Sequence, residues 1–388
     1  MHYALLIAGW ILALAWFSRI VEAALGVPGI ADISKPQWDH QPAVHPRVSI
    51  IVPARNEEED VELGLKGLLA LDYDNYEVIA VNDRSTDRTG EIMEKVAASP
   101  AAHGCLKIVH VGELPFGWLG KTHAMWSAGL QATGEWLLFT DADVLFKPDV
   151  LRRALVYADS EHADHVVVFP RMIMKRPGEK MMIAFFQTLF TFGHRPWRVA
   201  DPDTDDHMGV GAFNMVRRTA YEAVGTYKAL RMEVLDDMKL GKVIKKSGLR
   251  QRNVFGEDLI SIRWAKGAMG VVDNLTKNFF AVLSFQWWRT IASAIGLFFL
   301  NLWPFLGLWL APGWGRLPYG IALGSMFLIY LGMSLRSSVP PYYFVLHPIS
   351  TMLFEYTLLR SMFLTLRDDG VTWRGTKYPL EELRKGMV

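Results

Sequence analysis

Two uninterrupted apolar runs constrain this chain more than any other feature. Residues 290–315 contain no charged side chain, nor do residues 317–335, and only Arg316 separates them. Each can supply the roughly 20 helical residues that the hydrocarbon core of a bilayer requires. The connection from Pro312 to Pro318 reads as a tight turn between two spans. A buried soluble hairpin is the competing reading, but charge-free runs this long are rare in soluble cores. Residues 3–18 are also uncharged, with Arg19 and Glu22 following. With Arg19 snorkelling, this stretch suits a bilayer helix. A cleaved signal peptide would need a basic leader and a shorter core, so an uncleaved anchor over residues 1–26 is expected.

Composition supports a membrane protein. Of 388 residues, 51% are hydrophobic and 14 are Trp. Lys and Arg number 41 against 40 Asp and Glu, a net charge of +1. A nucleic-acid binder would carry a surplus of cations, and a disordered acidic chain would be less hydrophobic; both classes are excluded. A single cysteine, Cys105, rules out a disulfide framework within the chain.

Two stretches read ambiguously. Residues 276–290 mix aromatics with cations (Lys277, Phe279, Phe280, Trp287, Trp288, Arg289), as interfacial amphipathic helices do. Residues 342–366 are apolar but interrupted by His347, Pro348, Glu355 and Arg360, so they either span or lie in the headgroup plane. The tail over 367–388 carries Arg367, Arg374, Lys377, Arg384 and Lys385, which favours the cytoplasmic side. If 291–335 is a hairpin, a spanning 342–366 would place that tail outside. An interfacial or re-entrant segment is therefore the expectation, making 291–366 a hairpin plus a third membrane or interfacial segment.

Between residues 47 and 275 the pattern alternates strand and helix signals. Val48–Val52, Glu77–Val81, Lys107–Val111 and Trp136–Thr140 read as strands, with helix starts after the first two. Such an order predicts an α/β domain, a mostly parallel sheet flanked by helices. Ligands collect at the carboxyl ends of such strands, where Pro53 to Glu57, Asp83 and the residues after Thr140 fall.

The chemistry concentrates there. In Phe139-Thr140-Asp141-Ala142-Asp143, an apolar strand delivers two carboxylates where it stops. Oxygen donors of this kind suit Mg²⁺ or Mn²⁺, which take their other ligands from substrate phosphates and water. A turn with solvated acids is the bland reading of an isolated Asp-x-Asp; the strand context sets this one apart. Asp83 can accept hydrogen bonds from a base or ribose, or cap the next helix. Lys121, in a glycine-flanked turn before a helix, can neutralise a diphosphate, although no Walker sequence surrounds it. Asp236-Asp237 opens a helical pattern; the pair can be caps, or one carboxylate can be a general base. Glu257-Asp258 makes the same claim with less context. Asp201, Asp203, Asp205 and Asp206 lack the glycine and glutamate of a calcium loop. The Gly209-Val210-Gly211 segment lacks the third glycine of a dinucleotide fingerprint.

In order and spacing, Val48-Ser-Ile-Ile-Val-Pro-Ala-Arg-Asn-Glu-Glu58, Val81-Asn-Asp-Arg-Ser-Thr-Asp87, Gly117-Trp-Leu-Gly-Lys121, Gly134-Glu-Trp-Leu-Leu-Phe-Thr-Asp-Ala-Asp143 and Leu235-Asp-Asp237 resemble family 2 glycosyltransferases of GT-A fold. The Gly-Trp-x-Gly-Lys element, the hydrophobic flanks and the tail Gly370–Tyr378 resemble membrane-bound members near the hopanoid-associated and carotenoid glycosyltransferases. The resemblance covers most of the chain. It implies a cytoplasmic GT-A catalytic domain (47–275) in the inner membrane, with an N-terminal anchor helix and C-terminal membrane helices. It also implies inverting transfer of a sugar from a nucleoside-diphosphate sugar, a UDP-hexose, to a lipid or isoprenoid hydroxyl. By position, Pro53, Arg55, Glu57 and Asp83 would hold the nucleotide, helped by Lys121. Asp141 and Asp143 would hold the metal–diphosphate, Asp237 would be the base, and Asp236 would stand beside it. Arg263-Trp264 and Gln286-Trp-Trp-Arg289 each resemble part of the Gln/Arg-x-x-Arg-Trp element of processive synthases, and neither copy is complete. A processive polysaccharide synthase and a metal-dependent sugar-nucleotide hydrolase are the rival readings; a degenerate scaffold would not need both acidic pairs.

Overall fold

Val48–Ala54 (β1) is apolar along nearly its whole length and buried on both faces, which is what a central strand of a parallel sheet requires. The computed structural model describes residues 2–102 and 104–387. The chain divides into two units. One comprises residues 30–173, 198–263 and 372–388, the other residues 1–29, 174–197 and 264–371.

In the first unit β1 is followed by Tyr76–Asp83 (β2), Leu106–Val111 (β3), Trp136–Phe139 (β4), His165–Phe169 (β5), Asn214–Arg217 (β6) and Gln251–Phe255 (β7). They form one sheet in the order β3-β2-β1-β4-β6-β5-β7, with β6 antiparallel to both neighbours. Alternation divides the core. Ile50, Val52, Val78, Ala80 and Leu138 face one side, with Leu65, Leu68 and Met93 from helices. Ile51, Ile79, Val81, Leu137 and Phe139 face the other, with Ala124, Met125, Leu240 and Ile244. Pairing of β1 with β4 ends at Ile51↔Phe139. Pro53, two residues on, therefore has no ladder bond to lose on that side. The chain peels away there: Thr140 N–H donates to the Ile51 carbonyl (3.1 Å) and Asp141 N–H to the Gly211 carbonyl (3.0 Å). Asp141 and Asp143 consequently lie in a turn beyond β4, not in the strand itself. Gly370–Trp373 (β8) and Thr376–Pro379 (β9) pair as a separate two-stranded hairpin.

In the second unit, three helical stretches among the described residues are long and apolar enough to cross a membrane: Tyr3–Gly29, Trp287–Leu310 and Gly313–Ser334. Within the second stretch, Pro304 cannot donate to the Leu300 carbonyl, and the backbone makes a π-helical turn over Phe298–Leu302. The indole N–H of Trp16, on the His2–Gly26 helix, donates to that carbonyl at 2.9 Å. A polar group that lipid could not satisfy is thereby satisfied by protein. Gly307 lets two helices approach closely, since a Cβ there would lie 2.3 Å from the Tyr319 ring. Residues 276–290 are divided by Ser284 and Phe285, whose φ angles are 58° and 53°. The first part ends the Gly267–Val282 helix and the second begins the Trp287–Leu297 helix. The later apolar segment forms the His347–Arg367 helix, with Ile349, Met352, Tyr356, Leu359, Phe363 and Leu366 exposed at helical spacing.

Candidate active site

The loops after β1, β2 and β4 converge at the carboxyl ends of these strands, where a doubly wound sheet binds ligands. The first two loops are stitched together. Thr86 N–H donates to Asn56 Oδ1 (2.8 Å), and Glu57 N–H donates to Thr89 Oγ1 (2.8 Å). Asp83, 4% exposed, closes β2. Its carboxylate takes a bidentate pair from Arg84 at 2.7 and 3.0 Å, with Arg55 at 4.0 Å. Gly120 makes this possible: a Cβ there would stand 2.3 Å from Asp83 Oδ2.

Lys121 follows Gly120 at the start of the Gly120–Gln131 helix. Its ammonium lies 2.8 Å from Asp141 Oδ1 and 3.5 Å from Asp236 Oδ1, so one cation bridges both acidic motifs. Burial opposes the charge on Lys121, yet Asp141, Asp236 and Asp237 hold its pKa above the ordinary lysine value. Burial pushes Asp236 up to about 7, opposed by Lys121 and reinforced by Asp237 and Asp141. Asp143 is likewise pushed up to about 7, first by burial and then by the charges of Asp141 and Glu57. Burial also raises Glu57, while Arg374 pulls it back.

Asp237 sits at the start of the Asp236–Lys246 helix. Gly211 N–H donates to its Oδ2 (2.9 Å) and Met238 N–H to its Oδ1 (2.7 Å). Burial raises its pKa; Lys121 and these two amides oppose the shift. Gly209 and Gly211 are required by close approach. A Cβ on Gly209 would overlap the Asp237 carbonyl at 1.8 Å, and one on Gly211 would meet Asp141 Oδ2 at 2.6 Å. Behind them runs a buried polar chain. Gln251 Oε1 accepts from Met208 N–H (2.8 Å), and its Nε2 donates to the Gly241 carbonyl (3.1 Å) and to His165 Nδ1 (2.7 Å). Nδ1 being the acceptor, His165 carries its proton on Nε2 and donates to Asn214 Oδ1. Asn214 Nδ2 in turn points at the Asp237 carbonyl (3.5 Å).

The structure thus gathers Pro53, Arg55, Glu57, Asp83, Lys121, Asp141, Asp143, Asp236 and Asp237 in one unit. Lys121, expected near a diphosphate, is engaged by two aspartates. Arg263 is the last residue of the 198–263 segment of the first unit, whereas Trp264 belongs to the second, its ring 5.1 Å from Phe186. Asp258 pairs with Arg171, and Asp201 with Arg198 at 2.6 Å, so neither acidic stretch joins the cluster. Sequence reasoning missed the buried chain of His165, Asn214 and Gln251. It also missed the reason for Gly209 and Gly211, whose only signal was their spacing, and the partners of Arg374 and Tyr378.

The donor set fits a divalent cation. Carboxyls of Glu57, Asp83, Asp141, Asp143, Asp236 and Asp237 outnumber the cations Arg55, Arg84, Lys121 and Arg374, and like-charge repulsion falls on Asp143. Among the described residues no three His, Cys, Asp or Glu side chains form a metal cage. Asp141 and Asp143 match an ion that takes its remaining ligands from a diphosphate and water.

Residues 49–225 match the family model of glycosyl transferase family 2. The 4,4'-diaponeurosporenoate glycosyltransferase of Staphylococcus aureus (strain MRSA252) is 24% identical over 349 residues, spanning 87% of this chain and 90% of that protein. Its namesake from Staphylococcus haemolyticus (strain JCSC1435) is 24% identical over 236 residues, 60% of each. The structure of mannosyltransferase PcManGT from Pyrobaculum calidifontis, in complex with GDP-Man and Mn²⁺, is similar in fold at a TM-score of 0.55 and 22% identity. The match covers 94% of this chain and 99% of that one.

Proposed function

We propose, from the premise that this chain is a family 2 glycosyltransferase of GT-A fold, that it transfers a hexose from a nucleoside-diphosphate sugar, a UDP-hexose, to a hydroxyl of a membrane lipid or isoprenoid. The observation that carries this reading is the meeting of Asp141 and the Asp236–Asp237 pair around Lys121 at the carboxyl ends of the sheet. The names of the relatives, which denote a carotenoid-type substrate, support the acceptor class. Three apolar helices support a multi-pass membrane protein, and the basic tail over 367–388 favours a catalytic unit on the cytoplasmic side of the inner membrane.

Asp83 and Arg55 would orient the nucleoside, and Asp141 and Asp143 would hold a Mg²⁺ or Mn²⁺ bound to the diphosphate. Such an ion supplies Lewis-acid stabilisation of the departing phosphate charge. The acceptor oxygen attacks the anomeric carbon as the bond from that carbon to the diphosphate oxygen breaks. The diphosphate leaves with the electron pair, and Asp237 takes the acceptor proton. One displacement inverts the anomeric centre. Asp237 suits the task because two backbone amides fix its carboxylate, while Asp236 stays buried against Lys121.

General-base catalysis contributes on the order of 10²–10⁴ in rate. Asp237→Asn is therefore expected to lower transfer by that factor while donor affinity changes little. The assay incubates membranes containing the protein with radiolabelled UDP- and GDP-sugars and counts label in the organic phase. Unchanged turnover in Asp237→Asn removes Asp237 from the mechanism, and label remaining wholly aqueous removes the lipid acceptor.

A further inference from the structure

The β8–β9 hairpin turns at Arg374-Gly375, both with positive φ (49° and 78°). Two-residue turns of this kind favour Asn-Gly or Asp-Gly, because other side chains crowd the backbone in the left-handed region. An arginine at the first position is locally unfavourable, so its side chain is the place to look for a reason. Its Nη2 pairs with Glu57 and its Nη1 donates to the Arg55 carbonyl. Thr376 Oγ1 accepts from Arg55 Nη1 at 3.0 Å. Tyr378, 5% exposed, accepts from Gly120 N–H at 3.1 Å and also partners the Arg84 guanidinium. Alternate residues 374, 376 and 378 thus touch the loop after β1, the loop after β2 and the start of the Gly120–Gln131 helix. These are the three places assigned above to the nucleotide.

We propose that this hairpin is part of the donor-binding site, with Arg374 leaving Glu57 to hold the diphosphate of the incoming nucleotide and Tyr378 forming the adjoining wall. The inference rests on the reading that a nucleoside diphosphate binds at these strand ends. Among the cations of the cluster, Lys121 is held between two aspartates and Arg84 is bidentate to Asp83. The Arg374 side chain is 42% exposed, and rotation frees it by giving up Glu57 and the Arg55 carbonyl, both in the loop after β1. Its planar fork matches two phosphate oxygens in a way that a lysine does not. A diphosphate arriving beside Glu57, Asp141 and Asp143 meets an excess of negative charge, which Arg374 offsets alongside the divalent ion.

The test is calorimetric binding of UDP and GDP, each with Mn²⁺, to the full chain in detergent, compared with Arg374→Ala, Arg374→Lys and Tyr378→Phe. Wild type is expected to bind one of the two. Arg374→Ala should bind it at least tenfold more weakly, Arg374→Lys in between, and Tyr378→Phe severalfold more weakly. The Arg374→Ala loss should shrink for the nucleoside monophosphate, which a purely structural role would not produce. Tyr378→Phe and Arg374→Lys preserve bulk, so they report even if Arg374→Ala unfolds. A nucleotide that binds wild type and all three variants within twofold overturns the inference alone. Failure of wild type to bind either nucleotide overturns the donor reading and this inference with it.

Discussion

His165 shows how a single buried group shapes the behaviour of the site. Burial drives its imidazole down to about 4, with only the Asn214 bond opposing, against an unfolded value near 6.5. A depressed folded pKa means stability that is complete above about 6.5 and is lost as pH falls toward 4. Linkage makes the full loss roughly 3 kcal/mol. The midpoint of thermal unfolding in detergent is expected to drop more steeply between pH 7 and pH 4.5 for wild type than for His165→Gln. Parallel slopes would show that His165 is not the group. At this scale much of the cluster was legible. Asp83, Asp141 and the Asp236–Asp237 pair each stand where an apolar strand stops or a helix opens, so their convergence follows from topology. Lys121 was legible as a site residue but not as the bridge between two aspartates, since no pattern along the chain pairs residues 121 and 236. His165, Asn214 and Gln251 were illegible: each is an ordinary polar residue until the sheet buries it.

Elements were read with uneven success, for physical reasons. Strands β1 to β4 stand out because their β-branched and aromatic runs are bounded by Pro, Asn or Gly. Strands β6 and β7 do not, because Asn214 and Arg217 in one and Gln251, Arg252 and Asn253 in the other leave no apolar run; β5 was missed although Val166–Val168 is β-branched. The apolar spans were evident from the absence of charge, whereas the π-helical turn before Pro304 was not. The Leu300 carbonyl within that turn is bonded by the indole of Trp16, on the His2–Gly26 helix. Trp16→Phe removes that donor and leaves the Leu300 carbonyl unpaired among apolar side chains, a loss of about 1–3 kcal/mol. A lowered unfolding midpoint in detergent, with nucleotide affinity preserved, is the expected result. An unchanged midpoint would mean that another donor takes the indole's place.

On the scale of the whole molecule, the path of the chain carries information that no single element does. Arg374 and Thr376 bond to Arg55 in the loop after β1, so the tail is expected on the same side of the membrane as that loop. If Trp287–Leu310 and Gly313–Ser334 both cross, the pair returns the chain to the side it left. The His347–Arg367 helix is then expected to start and end on one side. The prediction is an interfacial helix, with the exposed residues Ile349, Met352, Tyr356, Leu359, Phe363 and Leu366 toward lipid. In a Cys105→Ser background, an impermeant maleimide should modify Ser338→Cys and Asp369→Cys from the catalytic side and Trp314→Cys from the other. Modification of Asp369→Cys from the same side as Trp314→Cys would mean that the helix crosses. The two units also share the chain in alternation, residues 30–173, 198–263 and 372–388 belonging to one and the intervening stretches to the other. A ribosome releases Arg374 and Tyr378 only after the three apolar stretches among the described residues, so a donor site that includes this hairpin is completed last. Biosynthetic order alone would then keep a half-inserted copy from consuming donor.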